Sequence, residues 1–170
     1  LRIDGADVSF DVELGYPANS QIPALRSALI DAARRVPGVG NVSANLGWKV
    51  TAHEVQRGVK LLPNVKNIVA VASGKGGVGK STTTVNLALA LAAEGAAVGI
   101  LDADIYGPSQ PMMMGIDGRP ESSDGKTMEP MRKHGVEDLD DALLDDVDRL
   151  TDVFLDQAEV FPGTQLLYLT

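Results

Sequence analysis

Eight consecutive residues in the middle of the chain have the types and spacing to hold a phosphate. They are Gly74, Lys75, Gly76, Gly77, Val78, Gly79, Lys80 and Ser81, followed by Thr82. They fit the pattern Gly-x-x-x-x-Gly-Lys-Ser completely. The glycines permit positive φ and place no Cβ in the way, so successive backbone N–H groups can converge on phosphate oxygens. Lys80 has the reach for the β- and γ-phosphates of a nucleoside triphosphate, and the Ser81 hydroxyl is a ligand for Mg²⁺. The competing reading is a glycine-rich turn that binds nothing, and the completeness of the pattern weighs against it. A second group, Asp102-Ala-Asp104, follows downstream. Two carboxylates at a strand end can serve a Mg²⁺ shell or orient an attacking water. The alternative there is an aspartate that ends its strand and caps the next turn.

These residues need elements to position them. The apolar run Asn67-Ile-Val-Ala-Val-Ala72 predicts a buried parallel strand, and the stretch from Thr83 to Glu94 has helical spacing. Gly95 ends that helix, and Ala97-Val-Gly-Ile-Leu-Asp102 predicts a second buried strand beside the first. Asp102 and Asp104 would then stand at the carboxyl edge of the sheet, where ligands lie in open α/β folds. The expected fold class is α/β, with an incomplete doubly wound parallel P-loop sheet over residues 67–136. Ahead of it, Val8, Phe10, Val12 and Leu14 alternate with Ser9, Asp11 and Glu13, which predicts a half-buried strand. Ser20 is the expected N-cap of a helix carrying Ile22, Leu25, Leu29, Ile30 and Ala33, stopped by Pro37-Gly38. Val42 to Leu46 alternates again. The result is a small strand–helix–strand domain over 1–52, with Trp48 as a packing residue, joined by a linker over 53–66. Beyond Asp104, Tyr106 to Gly115 reads as a loop with a methionine patch, and Arg119 to Met131 as a polar loop.

The chain has 170 residues, no cysteine and a net charge of −8. The charge is uneven. Residues 1–136 carry 14 basic and 13 acidic side chains, whereas residues 137–170 carry 1 basic and 10 acidic ones. Such a tail argues against nucleic acid as its partner. No apolar run is long enough to cross a bilayer, so no membrane role is expected, and the lack of cysteine agrees with a cytoplasmic location. Leu1 stands so close to the first strand that residues are expected to precede it. In the tail over 137–170, Leu139, Leu143, Val147, Leu150, Phe154 and Ala158 share a helical stripe, with Asp140, Asp141, Asp145, Asp148 and Asp152 largely off it. This predicts an acidic helix, followed by a short strand over Gln165 to Leu169. A competing reading takes Val153 to Asp156, with Pro162-Gly-Thr164, as a degraded acidic strand and switch.

Gly74 to Ser81, followed by Leu101-Asp-Ala-Asp-Ile-Tyr-Gly-Pro-Ser109, resembles the deviant-Walker-A ATPases, and within them the Mrp/ApbC-type iron–sulfur cluster carriers. Pro120 to Lys126 and Met128-Glu-Pro130 resemble the same branch. The N-terminal unit, with Pro37-Gly-Val-Gly-Asn-Val42, is similar to the MIP18-type domain that precedes the ATPase in many of these carriers. The resemblance covers about residues 1–136. It implies that Lys75 crosses a homodimer interface to the partner's nucleotide, and that Lys80, Ser81 and Thr82 meet the phosphates and Mg²⁺. It further implies that Asp104 orients the hydrolytic water, with Asp102 close to the metal shell. The implied activity is ATP binding and hydrolysis that control transfer of a [4Fe–4S] cluster to apoproteins.

The chain departs from this family in two respects. The family holds its cluster with a Cys-x-x-Cys pair from each subunit, and this chain has no cysteine. Nor is there a buried strand ending in Asp and followed by Pro-Pro-Gly-Thr-Gly-Asp. The expected function is therefore an ATP-binding cluster carrier or assembly protein, present as an incomplete or divergent chain. Two alternatives are a non-catalytic nucleotide-binding interaction module, and a positioning or partition ATPase of the same class.

Overall fold

The computed structural model describes residues 1–52, 65–102, 109–118, 121, 130–140 and 165–169. The expected linker falls outside them apart from Val65 and Lys66. The chain divides into two compact units, Leu1–Thr51 and Ala52–Thr170.

The first unit is built from β1 (Arg2–Asp4), β2 (Asp7–Leu14), α1 (Ile22–Arg34) and β3 (Val42–Trp48). The strands lie in the order β1-β2-β3. β1 and β2 form an antiparallel hairpin whose turn contains Gly5 at φ +60°. β2 and β3 run parallel, from Val8 opposite Val42 to Leu14 opposite Trp48. A parallel pair needs a crossover, and α1 supplies it. The alternation seen in the sequence sorts the two faces. Ala44 and Leu46 are buried and Val8, Phe10, Val12 and Leu14 half-buried, whereas Asn45 donates across the exposed face to Asp11 Oδ1 at 3.2 Å. Trp48 Nε1 donates to Asn19 Oδ1 at 2.9 Å, so the lone tryptophan ties β3 to the turn before α1. The cap of α1 differs from expectation. Gln21, not Ser20, is the N-cap residue, and Pro23 in the first turn presets the helical φ without a side-chain cap.

The second unit comprises β4 (Asn67–Val71), α2 (Lys80–Ala93), β5 (Val98–Asp102), α3 (Gln110–Met114), β6 (Met131–Lys133), β7 (Val136–Asp140) and β8 (Gln165–Leu169). Its core gathers Val85 and Ala88 of α2, Ala96 just before β5, Val98 and Ile100 of β5, Met114 of α3 and Val136 of β7. Burial of side chains this size contributes roughly 1.5–3 kcal/mol for each larger one.

The sheet order is β4-β8-β5-β7-β6, and it corrects three expectations. First, β5 is not beside β4, because β8 lies between them. Second, the sheet is mixed rather than wholly parallel. β5 and β7 are parallel, but β8 runs antiparallel to both β4 and β5, and β6 antiparallel to β7. The register supplies the reason. β7 ends at Asp140, opposite Asp102, and β8 begins at Gln165, also opposite Asp102. The chain leaves and re-enters the sheet at one edge, so β8 returns antiparallel without a crossing connection.

Third, Leu139 and Asp140, the first residues of the expected acidic helix, lie in β7. His134 and Gly135, at φ 54° and 77°, make the tight turn that folds β7 back on β6, and strand pairing overrides the helical stripe there. The remainder of that stripe, and Val153 to Thr164, lie outside the described residues. The expected strand over Gln165–Leu169 is present. Met131, the end of the expected polar loop, opens β6.

Candidate nucleotide-binding site

β4 ends at Val71, and the glycine-rich loop leads from it into α2, whose first residue is Lys80. The loop's entry is tied by Ser73. Its Oγ accepts from Lys75 N and donates to Lys75 O, both at 3.2 Å. Gly77 and Gly79 take φ of +73° and +90°, in the left-handed region that side chains rarely adopt. Gly79 is the N-cap of α2 and has no side chain to cap with. The first turn of this fourteen-residue helix stands at the positive end of its dipole, where an anion is favoured. Residues 74–79 are exposed, and Lys80 and Ser81 half-buried at the loop's rim. Among the described residues, a Cβ added at Gly76, Gly77 or Gly79 would meet no atom within 4 Å beyond its own chain neighbours.

The structure brings Gly74, Lys75, Gly76, Gly77, Val78, Gly79, Lys80, Ser81 and Thr82 together as one strand–loop–helix unit. A Mg²⁺–nucleotide complex fits these donors: a series of backbone N–H groups, the Lys80 ammonium and the Ser81 hydroxyl. Lys75 is exposed.

Asp102 ends β5 and is only 3% exposed. Its Oδ2 accepts from Ser109 N at 2.9 Å and from Gln110 N at 3.2 Å. These bonds hold the start of α3, which is the capping geometry that the sequence left open as an alternative. Asp104 lies outside the described residues, as do Tyr106, Gly107 and Pro108. Of the methionine patch, Met114 is in the core, whereas Met112 is 78% exposed.

Two residues with no role in the sequence reading stand directly behind the loop. Thr84 Oγ1 donates to Lys80 O at 3.0 Å, and Gln110 Nε2 donates to Ser81 O at 3.5 Å. Thr84 lies one helical turn from Lys80, which is a signal for the first bond. Nothing in the local pattern marks Gln110.

No helix among the described residues is long and apolar enough to cross a membrane. No group of three or more His, Cys, Asp or Glu among the described residues could hold a metal ion. With no cysteine in the chain, the residues present do not fit an iron–sulfur cluster.

Comparison with known proteins agrees with this geometry. Residues 64–148 match the family model described as the NUBPL iron-transfer P-loop NTPase. Residues 1–44 match one described as an iron–sulfur cluster assembly protein. The first match runs past Val136, where the resemblance seen in the sequence stops. An iron–sulfur cluster carrier protein of Pseudomonas fragi is 56% identical over 117 residues, covering 68% of this chain and 41% of the relative. One from Synechocystis is 44% identical over 163 residues, or 88% of this chain and 43% of the relative. The mouse iron–sulfur cluster transfer protein NUBPL is 56% identical over 79 residues, 45% of this chain and 25% of the relative. The chain thus spans about two fifths of the length of the bacterial relatives. The complete phosphate loop, its left-handed glycines and a family match that begins just before β4 lead to one assignment: the chain belongs to the NUBPL-type iron-transfer P-loop NTPases, the Mrp/ApbC group.

Proposed function

We propose that this chain binds ATP with Mg²⁺ at residues 74–82 and supplies the nucleotide-dependent part of an iron–sulfur cluster carrier. The observation that carries this reading is the loop with left-handed Gly77 and Gly79, which delivers Lys80 and Ser81 into the first turn of α2. Backbone N–H groups and Lys80 take the phosphate charge, and Ser81 offers its hydroxyl to Mg²⁺. Bound Mg²⁺ would neutralise charge on the β- and γ-oxygens. Asp104 orients the attacking water, while Asp102 adds negative potential at the same edge and holds the segment after it. Lys75 reaches the nucleotide of a second copy in an ATP-dependent homodimer. The [4Fe–4S] cluster is cargo for iron–sulfur apoproteins in the cytoplasm, and its thiolate ligands come from outside these 170 residues.

A second reading, nucleotide binding without turnover, has its own support. The sheet position between β4 and β5 holds an antiparallel strand, so Gln165 stands opposite Val71 and Asp102. No acid ends a parallel strand at that position. Phosphate release separates the two readings. The carrier reading expects slow Mg²⁺-dependent release of phosphate from ATP, lost in Asp104→Ala while ATP binding persists. Binding with no release in the unmodified chain would leave only the non-catalytic module.

A further inference from the structure

The first turn of α2 presents Lys80 and Ser81, and buried polar groups hold both of their carbonyls from behind. Thr84, fully buried, donates to Lys80 O at 3.0 Å. That bond is the ordinary back-bond of a helical threonine to the residue four before it. Gln110, also fully buried, donates from Nε2 to Ser81 O at 3.5 Å. This second bond is not local, because α3 supplies it. The backbone N–H of Gln110 is itself fixed by Asp102 Oδ2 at 3.2 Å, beside Ser109 N at 2.9 Å. The end of β5, the start of α3 and the first turn of α2 are thereby joined through one residue, Gln110.

Burying an amide is unfavourable unless it is hydrogen-bonded. A methionine of similar length would fill the space without that cost. What the amide adds over a methionine is the Nε2 donor, and that donor is spent on the Ser81 carbonyl. A trans peptide unit is planar, with its C=O and N–H pointing in opposite directions. The Ser81 carbonyl and the Thr82 N–H belong to one such planar unit, so the bond from α3 constrains both. Holding the Lys80 carbonyl does the same for the Ser81 N–H.

We propose that Gln110 is a positioning residue of the phosphate site, aiming the Thr82 N–H, and with it the Ser81 hydroxyl, at the bound phosphates. The inference rests on the ATP-binding reading above. Gln110 touches no substrate in this role; it acts through the Ser81–Thr82 peptide.

The test uses the whole 170-residue chain, with Mg²⁺–ATP and magnesium tripolyphosphate as probes. Gln110→Met keeps the volume and removes the donor. It is expected to melt within a few degrees of the unmodified chain while binding both probes about tenfold more weakly, the equivalent of one lost hydrogen bond to a charged ligand. In ¹⁵N-resolved spectra of the unmodified chain, the Thr82 amide and the Gln110 side-chain amide should both shift on adding Mg²⁺–ATP. In Gln110→Met the Thr82 shift should shrink while that of Gly77 persists. A purely structural role would lower the melting temperature and leave these amide shifts unchanged. Unaltered affinity with an unaltered Thr82 shift would overturn the proposal. So would a Gln110 side-chain amide that ignores the ligand in the unmodified chain, a result needing no variant. If the unmodified chain shows neither binding nor a Gly77 shift, the ATP-site reading itself has failed, which is a distinguishable outcome.

Discussion

Removing residues 165–170 is expected to dismantle the sheet of the second unit and abolish nucleotide binding. β8 pairs with β4 from Asn67–Leu169 to Val71–Gln165, and with β5 from Val98–Leu169 to Asp102–Gln165. In the sheet order β4 stands at the edge, with β8 as its sole neighbouring strand among those described. Losing β8 therefore detaches the strand that leads into the phosphate loop. Each ladder hydrogen bond contributes roughly 0.5–1.5 kcal/mol net. Two five-residue ladders together rival the marginal stability of a domain, about 5–15 kcal/mol. The first unit has its own sheet and its own buried residues, Ala18, Ala44, Leu46 and Val50. Limited proteolysis of the shortened chain should accordingly leave residues 1–51 protected and degrade the rest. Unchanged protection of both units would show that β8 is dispensable.

Lys80→Ala is expected to weaken Mg²⁺–ATP binding by at least about a hundredfold, because charge-assisted hydrogen bonds to a ligand are the strong ones, roughly 1.5–3 kcal/mol each. The fold should tolerate the change. Lys80 is half-buried at the start of α2, and alanine is a good helix former. Competition of the variant for a fluorescent ATP analogue, beside a thermal melt, separates lost binding from lost folding. An unchanged melt with unchanged affinity would mean that Lys80 does not meet the phosphates.

Much of this site is legible in the sequence because its chemistry is local. Gly77, Gly79, Lys80 and Ser81 must follow one another, and the structure gives them the positive φ and the helix start that the pattern requires. The alternation of Val8, Phe10, Val12 and Leu14 likewise marks β2 directly. What escaped is non-local. Gln165 to Leu169 is recognisable as a strand, but its place between β4 and β5 and its direction depend on partners far away in the chain. Leu139 fits a helical stripe and yet pairs with Leu101 in β7, since short apolar spacings serve both periods. Gln110 follows Pro108-Ser109 and looks like a loop residue. Only the closeness of α3 to the first turn of α2 gives it work.

Everything proposed for this chain depends on the loop over residues 74–82 being a working nucleotide site. Calorimetric titration of the 170-residue chain with ATP, with Mg²⁺ and then with the metal chelated, tests it most directly. One ATP should bind per chain, with affinity that falls when Mg²⁺ is removed because Ser81 then loses its part in the site. A folded chain that takes up no ATP under either condition would contradict it.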